Sequence, residues 1–140
     1  RDFYASVSRT FVADPAREDD QVLDALVALA RSDDTWLDVG AGAGRYALPL
    51  ARHVREVIAV DPSASMLEAL GAGMAAHGIA NVRVLEGRWP PDPGLRSGLG
   101  PDPVADVALI AHVGYDIEAI APFLNALDSA TRRRCVAVHM

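Results

Sequence analysis

A glycine-rich turn and a carboxylate further along the chain are the residues whose types and spacing could do chemistry in this sequence. Gly40, Gly42 and Gly44 alternate after an apolar stretch that contains Asp38, and Asp61 follows Gly40 by 21 residues. Glycine allows sharp backbone bends and the close approach of a ligand. A carboxylate can hold two neighbouring hydroxyl groups through charge-assisted hydrogen bonds. The combination predicts that the turn admits a cofactor closely.

One interpretation of the turn is the dinucleotide-binding fingerprint G-x-G-x-x-G, whose third glycine lets helix and strand pack closely. From Gly40 the sequence reads G-A-G-A-G-R, so Arg45 stands where the third glycine belongs. We expect an arginine there to crowd the contact between helix and strand and to overhang a pyrophosphate. An NAD(P)-dependent oxidoreductase is therefore disfavoured and is kept as an alternative.

The stretch LDVGAGAGRYALPLA resembles motif I of the class I S-adenosylmethionine-dependent methyltransferases, and the resemblance extends over about residues 20–140. It implies that S-adenosyl-L-methionine is the cofactor and that the glycine turn lies against its methionine part. The turn residues concerned are Gly40, Ala41, Gly42 and Gly44. The resemblance also implies that Asp38, just before the turn, helps to position the amino group of the cofactor.

A second stretch, VIAVDPSASML, places Asp61 at the end of the next strand and follows it with the D-x-S-x-x-M-L pattern common in this family. The resemblance implies that Asp61 accepts hydrogen bonds from both ribose hydroxyls, with Pro62 and Met66 beside the cofactor. From the residues alone, Asp61 could equally cap a helix and the glycines could form a plain tight turn.

The third stretch, NVRVLEGRWPPD, corresponds to the region where the family contacts adenine. Many members have Gly-Asp here, whereas this chain has Gly87 and Arg88, so the carboxylate that would meet the adenine amine is missing. Trp89 could stack on the adenine instead, or it could be a core aromatic beneath a long loop.

The stretch AHVGYD follows a fourth apolar segment, at the position that faces the transferred methyl group in this family. His112 and Tyr115 are the candidate catalytic residues, and Asp116 is more typical of a helix cap. A histidine can take a proton from a hydroxyl or amine nucleophile near neutral pH. Transfer of a methyl group from a sulfonium does not require such a base, since positioning and desolvation lower most of its barrier.

These features predict methyl transfer to an unidentified acceptor. A non-catalytic cofactor-binding module is a further alternative, because the sequence shows no recognisable acceptor-binding elements. The net charge of −6 disfavours binding to a polyanion, so we expect a small-molecule acceptor and no nucleic-acid partner. The sequence has no apolar run of the roughly 18 residues that span a bilayer, which predicts no membrane association. A single cysteine, Cys135, is expected to be a buried thiol and fits a cytoplasmic location. No spacing of His, Cys or carboxylates indicates a metal site.

Strands alternating with helices must position these residues, and this alternation predicts a single α/β domain with a doubly wound, mainly parallel sheet. The apolar runs are continuous, as in a sheet covered on both faces. Strands are predicted at 36–39, 57–60, 82–85, 105–111 and 135–139. Helices are predicted from Asp14-Pro15 to about 31, at 45–53, from Ser63 to near Gly78, and from Asp116 to about 132. An irregular loop is predicted over 88–104.

The chain resembles a Rossmann-like methyltransferase core that lacks the last two strands, so the fifth strand is expected at an edge of the sheet. Residues 1–13 are expected to form an arm, and the run Arg132-Arg133-Arg134 is expected to end the last helix. No lysine, proline or inward charge blunts the predicted edge strand, and exposed edges invite pairing with another chain. We therefore expect a homodimer built around this edge.

Overall fold

The computed structural model describes residues 14–111 and 120–138. In chain order the elements are α1 (Gln21–Leu29), β1 (Thr35–Val39), α2 (Ala47–Ala51), β2 (Glu56–Asp61), α3 (Ala64–His77), β3 (Val82–Glu86), α4 (Pro93–Leu99), β4 (Ala105–Ala111), α5 (Ile120–Ala130) and β5 (Thr131–Val138). The five strands form one sheet in the order β3-β2-β1-β4-β5, and every neighbouring pair is parallel. The predicted doubly wound α/β fold is confirmed.

Two apolar cores lie on opposite faces of the sheet because successive side chains of a strand point to opposite faces. On the central strand β1, Trp36 belongs to the core covered by α1, α2 and α3. Leu37 and Val39 belong to the core covered by α4 and α5. All five residues of β1 are buried. The alternation places the side chain of Asp38 on the same face as Trp36.

The helix that follows β2 begins and ends where the sequence predicts. Ser63 is its N-cap, and its hydroxyl accepts a hydrogen bond of 3.2 Å from the amide of Met66. Gly78 is its C-cap, with a φ of 64°, a left-handed conformation that glycine adopts without strain. Because the cap fixes the first turn of α3, Met66 is held beside the end of β2.

The first helix begins later than predicted. Asp14 and Pro15 form a turn in which the Asp14 carboxylate accepts a hydrogen bond of 2.9 Å from the amide of Ala16. The N-cap of α1 is instead Asp20, whose carboxylate accepts from the amide of Leu23 at 3.0 Å. An aspartate followed by proline satisfies a turn as well as a helix start, which is why the sequence pattern was ambiguous.

The prediction of an irregular loop over 88–104 is wrong, since α4 lies within it. Asp92 caps this helix by accepting from the amide of Leu95 at 2.8 Å, and Pro93 occupies its first turn. That pair is the usual signal of a helix start, and the density of proline and glycine around it concealed the signal. Leu95 and Leu99 bury the inner side of α4 against the sheet.

The arginine run lies on β5 and does not end a helix, because α5 ends at Ala130 and β5 begins at the next residue. The pairing of β4 with β5 shifts register between Ala105 and Val107, so the strand bulges opposite Asp106. Arg132 contacts Asp106 at 3.5 Å, and Arg133 forms two hydrogen bonds of 2.8 Å with the carboxylate of Asp34.

β5 is the edge strand of the described sheet, as expected, but its edge differs from the prediction. Arg132, Arg133 and Arg134 are exposed along it, and charged residues and bulges are the features that discourage pairing between edges. Cys135 is exposed and not the buried thiol expected from its apolar neighbours. The reasoning toward a homodimer therefore loses its physical premise. The arm predicted at 1–13 lies outside the described residues.

Candidate functional site

The glycine turn connects β1 to α2 at the carboxyl end of the sheet. The amides of Gly40 and Ala41 both donate to the carbonyl oxygen of Val60, at 2.8 and 3.0 Å, so the turn folds back over the end of β2. Gly40, Gly42 and Gly44 have φ values of 77°, 58° and 93°. These are left-handed conformations that residues with a Cβ rarely adopt, which explains why glycine alternates here.

Gly42 and Gly44 are needed for different reasons. A Cβ on Gly44 would collide with the side chains of Leu70 and Leu48, with Leu48 Cγ only 2.8 Å away. A Cβ on Gly42 would have only Met66 Sδ near it, at 4.0 Å. Gly44 therefore lets α3 pack against the turn, whereas Gly42 borders space that the described side chains do not fill.

Asp61 ends β2, and backbone amides hold its carboxylate. One oxygen accepts from the amide of Gly42 at 2.9 Å, and the other accepts from the amide of Ser63 at 2.8 Å. The residue is buried, with 7% of its surface exposed. Asp61 thus ties the glycine turn to the end of β2 and fixes the direction of its own negative charge.

Asp38 is a buried carboxyl group on the central strand, with 3% of its surface exposed. No hydrogen bond to its side chain is found within residues 14–111 and 120–138. Burial, and next the negative charge of Asp61, raises the pKa of Asp38 to about 7. Two carboxylates thus meet at the carboxyl ends of β1 and β2, and the inner one has no cation to balance it among the described residues. A ligand with a positive group would supply that balance.

Of the two residues predicted to lie beside the cofactor near α3, Met66 borders the glycine turn and Pro62 does not. Met66 is buried, and its sulfur is the atom nearest to the position that a Gly42 side chain would take. Pro62 is exposed at the end of β2. Of the two, Met66 is the one that faces the space beside the glycine turn.

The residues after β3 have structural roles that the sequence did not reveal. The amide of Gly87 donates to the Asp61 carbonyl at 3.1 Å, and a Cβ on Gly87 would lie 2.9 Å from Leu95 Cβ. Trp89 packs on the core under α4 and α5, and its Nε1 donates to the carbonyl oxygen of Phe123 at 3.2 Å. Arg88 is exposed. Trp89 therefore fits the alternative of a core aromatic, and its role toward adenine stays a prediction.

The sequence analysis did not identify Tyr46 and the two arginines that lie against its ring next to the glycine turn. Tyr46 is buried directly before α2, and the guanidinium carbons of Arg17 and Arg45 lie 5.6 and 5.8 Å from its ring centroid. Arg45 reaches outward, with 48% of its side chain exposed, and comes within 3.8 Å of Asp20. It does not crowd the contact between helix and strand, so that part of the argument against a dinucleotide is wrong, whereas the overhang above a pyrophosphate stays a prediction.

The two candidate catalytic residues, His112 and Tyr115, lie outside the described residues, as does Asp116. β4 ends at Ala111, next to β1 in the sheet, so the chain enters this segment from the edge where Asp38 and Asp61 meet. Within the described part of the chain, no cluster of three or more His, Cys, Asp or Glu could hold a metal ion.

Curated proteins similar to this chain include methyltransferases of RNA. The 23S rRNA (uracil(1939)-C(5))-methyltransferase RlmD of Pseudomonas aeruginosa is 39% identical over 66 residues, which is 47% of this chain and 14% of that protein. The uncharacterized methyltransferase YcgJ of Bacillus subtilis is 38% identical over 60 residues, 43% of this chain and 24% of that protein. The aligned segments thus cover less than a quarter of the length of each of these two relatives.

The similarity to the rRNA methyltransferase corrects the expectation about partners. The prediction of a small-molecule acceptor and no nucleic acid rested on the net charge of −6. Net charge reports the average over a chain, whereas recognition of a polyanion depends on where the basic residues lie. No helix of the described residues is long and apolar enough to cross a membrane. A cytoplasmic location stays a prediction.

The family comparison and a solved structure agree on what this domain is. A family model described as a methyltransferase domain matches residues 37–128, which include the glycine turn, Asp61 and the adenine-side segment. A crystal structure of a SAM-dependent methyltransferase from Aquifex aeolicus superposes with a TM-score of 0.72 at 22% identity, covering 91% of this chain and 67% of that one. The chain therefore belongs to the methyltransferase-domain family and has the class I, Rossmann-like fold of the S-adenosylmethionine-dependent methyltransferases.

Proposed function

We propose that this methyltransferase domain binds S-adenosylmethionine at the carboxyl ends of β1 and β2 and transfers its methyl group to an acceptor. The observation that carries the proposal is the arrangement of Asp61, Asp38 and Gly42. Asp61 holds the glycine turn from one side, Asp38 presents a buried carboxyl with no cation beside it in the described part of the chain, and Gly42 borders space beside them. When bound, the cofactor supplies a methyl group on a positively charged sulfur.

Asp61 is proposed to accept hydrogen bonds from the ribose hydroxyls. Its two backbone donors, the amides of Gly42 and Ser63, keep the carboxylate from rotating. A preoriented charge forms stronger hydrogen bonds than a free one because less conformational entropy is lost on binding. The same contacts make the turn and the carboxylate one unit, so a change at Asp61 affects both.

Asp38 is proposed to hold the amino group of the cofactor. An ammonium group next to this buried carboxyl favours its charged form, since opposite charges in a low-dielectric site attract strongly. Binding then removes the proton that Asp38 carries in part of the molecules at pH 7. This coupling between protonation and binding gives the assignment a measurable signature.

The chain's contribution to the reaction is proposed to be positioning. Methyl transfer from a sulfonium is an in-line displacement, whose rate depends on alignment and on excluding water. His112 and Tyr115 are proposed to line the acceptor side, because their segment follows β4 at the same edge of the sheet. His112→Ala should then lower turnover and leave cofactor affinity unchanged.

RNA is the acceptor class to test first. What supports it is the similarity to RlmD, a 23S rRNA (uracil(1939)-C(5))-methyltransferase; this similarity covers 47% of the chain. A methyl-transfer assay with labelled cofactor and ribosomal RNA, beside a panel of small molecules, would decide between the classes. Label in the RNA fraction supports the choice, and label in a small molecule alone rejects it.

Calorimetric titration with S-adenosylhomocysteine and with NAD tests the cofactor proposal. Asp61→Ala should weaken the binding of S-adenosylhomocysteine by roughly 1.5–3 kcal/mol, the range for hydrogen bonds to charged groups. Asp61→Asn keeps one oxygen for the backbone amides, so it separates loss of charge from loss of support for the turn. Glu68→Gln, at an exposed position of α3, is the control. Tight binding of NAD with no response to S-adenosylhomocysteine would refute the proposal.

A further inference from the structure

A cluster of charged and aromatic side chains lies beside the glycine turn, and we refer to Arg17, Asp20, Arg45 and Tyr46 as the Tyr46 cluster. Both guanidinium groups approach the Tyr46 ring, at 5.6 Å for Arg17 and 5.8 Å for Arg45. Both also approach Asp20, at 2.9 Å for Arg17 and 3.8 Å for Arg45. The cluster thus joins the segment before α1 to the residues that follow Gly44.

Arg17 is the residue of the cluster whose hydrogen bonding is incomplete. Its Nε donates to Asp20 Oδ2 at 2.9 Å, and its Nη1 donates to the Asp14 carbonyl at 3.2 Å. Its Nη2 is buried and has no hydrogen-bond partner among the described residues. A buried donor of a charged group without an acceptor is unfavourable, and native structures rarely leave one without a purpose.

The charges of the cluster do not balance either. Two guanidinium groups share one carboxylate, because Asp20 is the acid that both of them contact. Asp20 also accepts the amide of Leu23 as the cap of α1, and this hydrogen bond is the main cause that lowers its pKa. Two hydrogen-bond donors, the Leu23 amide and Arg17 Nε, already engage this carboxylate, and Arg45 adds an ion pair at 3.8 Å. Within the cluster, two guanidinium groups therefore share one carboxylate.

The Tyr46 cluster lies on the same face of the sheet as Asp38 and at the end of the turn that Asp61 holds. Tyr46 is buried in the same apolar core as Trp36, the core on the face toward which Asp38 points. Tyr46 follows Gly44 by two residues, at the end of the turn that Asp61 holds. The buried carboxyl of Asp38 and the unsatisfied Nη2 of Arg17 thus belong to the same side of the sheet and to the same turn.

We propose that Arg17 binds the carboxylate of the methionine part of the cofactor, an inference that rests on the proposed function. The amino-acid end of that cofactor carries an ammonium and a carboxylate on one carbon atom, so it needs an anion and a cation close together. Asp38 provides the anion and Nη2 of Arg17 provides the donor. Arginine suits this role because its planar group binds carboxylates with directed hydrogen bonds.

The competing explanation is that Arg17 only supports the fold by holding Tyr46 and Asp20. A pair of ligands separates the two explanations. One is S-adenosylhomocysteine, and the other is the aminopropyl thioether of adenosine, which keeps the ammonium group and lacks the carboxylate. If Arg17 binds the carboxylate, replacing it weakens binding of the first ligand only. If Arg17 supports the turn, replacing it weakens binding of both ligands.

The experiment is calorimetric titration of the wild-type chain, Arg17→Gln and Arg17→Lys with both ligands. Arg17→Gln should lower the affinity for S-adenosylhomocysteine by about 10- to 100-fold, as expected for loss of a charge-assisted hydrogen bond. The same variant should bind the thioether with unchanged affinity. Arg17→Lys should recover part of the loss, and it also serves if Arg17→Gln does not fold. Arg31→Gln, exposed beyond the other end of α1, is the matched control for loss of one positive charge.

Equal weakening of both ligands, or of neither, would overturn the role of Arg17 and leave the proposed function standing. A wild-type chain that binds neither ligand would overturn the proposed function and this inference with it. A wild-type chain that already binds both ligands with the same affinity would show that the carboxylate is not recognised, which also refutes the inference.

Discussion

Replacing Asp38 by asparagine should make the domain more stable at pH 8 and scarcely change its stability at pH 4. Burial and the charge of Asp61 raise the pKa of Asp38 from 3.8 to about 7 in the folded chain. The folded state therefore holds this proton more tightly than the unfolded state does. The stabilising effect of that proton is complete below pH 3.8 and is lost as the pH rises through about 7.

The size of the effect follows from the shift in pKa. One pKa unit corresponds to about 1.4 kcal/mol, so an ionised Asp38 lowers the free energy of unfolding by roughly 4 kcal/mol above pH 7. Asparagine has nearly the same shape and never ionises. We expect Asp38→Asn to recover up to about 4 kcal/mol at pH 8, less whatever its amide loses by burial without partners.

Urea denaturation at pH 4 and pH 8 measures the difference directly, with Glu68→Gln as a control at an exposed position. The control should change stability little at either pH. An Asp38→Asn variant that is less stable than the wild type at pH 8, or whose advantage is the same at both values, would contradict the reasoning. Binding gives a second readout, because the wild-type affinity for S-adenosylhomocysteine should rise about tenfold from pH 6 to pH 8 as Asp38 loses its proton.

Two further predictions concern the turn and the edge strand. Gly44→Ala should lower the melting temperature clearly, because its Cβ collides with Leu70, whereas Gly42→Leu should abolish ligand binding in calorimetry with a smaller loss of stability. Similar behaviour of both variants would refute this division of roles. Arg133→Ala should destabilise the fold by about 1–3 kcal/mol, below the range for a fully buried pair because 26% of its side chain is exposed. Because the ion pair with Arg133 lowers the pKa of Asp34, this loss of stability should shrink as the pH falls below 3.8 and Asp34 becomes protonated. A loss of stability that does not depend on pH would contradict this prediction.

The strands and the glycine turn were predictable because each depends on signals local in sequence. Continuous apolar runs predicted the four strands β1 to β4 to within one residue at each end. The acid that ends β2 could be placed because it follows an apolar run and precedes the Ser63 cap. The alternating glycines marked a sharp turn whether or not a ligand was considered.

The contacts of the arginines were not predictable, because their partners lie far away in the sequence. Arg133 and Asp34 are 99 residues apart and meet where β5 bulges opposite Asp106. Three arginines after an amphipathic stretch are equally typical of a helix end, where they favour the helix dipole. Arg17 was missed for the same reason, since its ring partner Tyr46 lies on the other side of β1 in the chain.

Asp34 and Asp38 are two buried acids near β1 whose surroundings differ. Both are buried; Asp34 directly precedes β1 and Asp38 lies on it, and the ring of Trp36, which shares a face with Asp38, donates to Asp34. Asp34 accepts hydrogen bonds from Arg133, from the Trp36 ring and from the Arg31 amide, and its pKa is lowered, chiefly by Arg133. Asp38 has no such donor among the described residues and its pKa is raised. Among the described residues, one end of the strand is thus fully equipped with donors and the other is not, which supports the proposal that a cationic group of the ligand binds at Asp38.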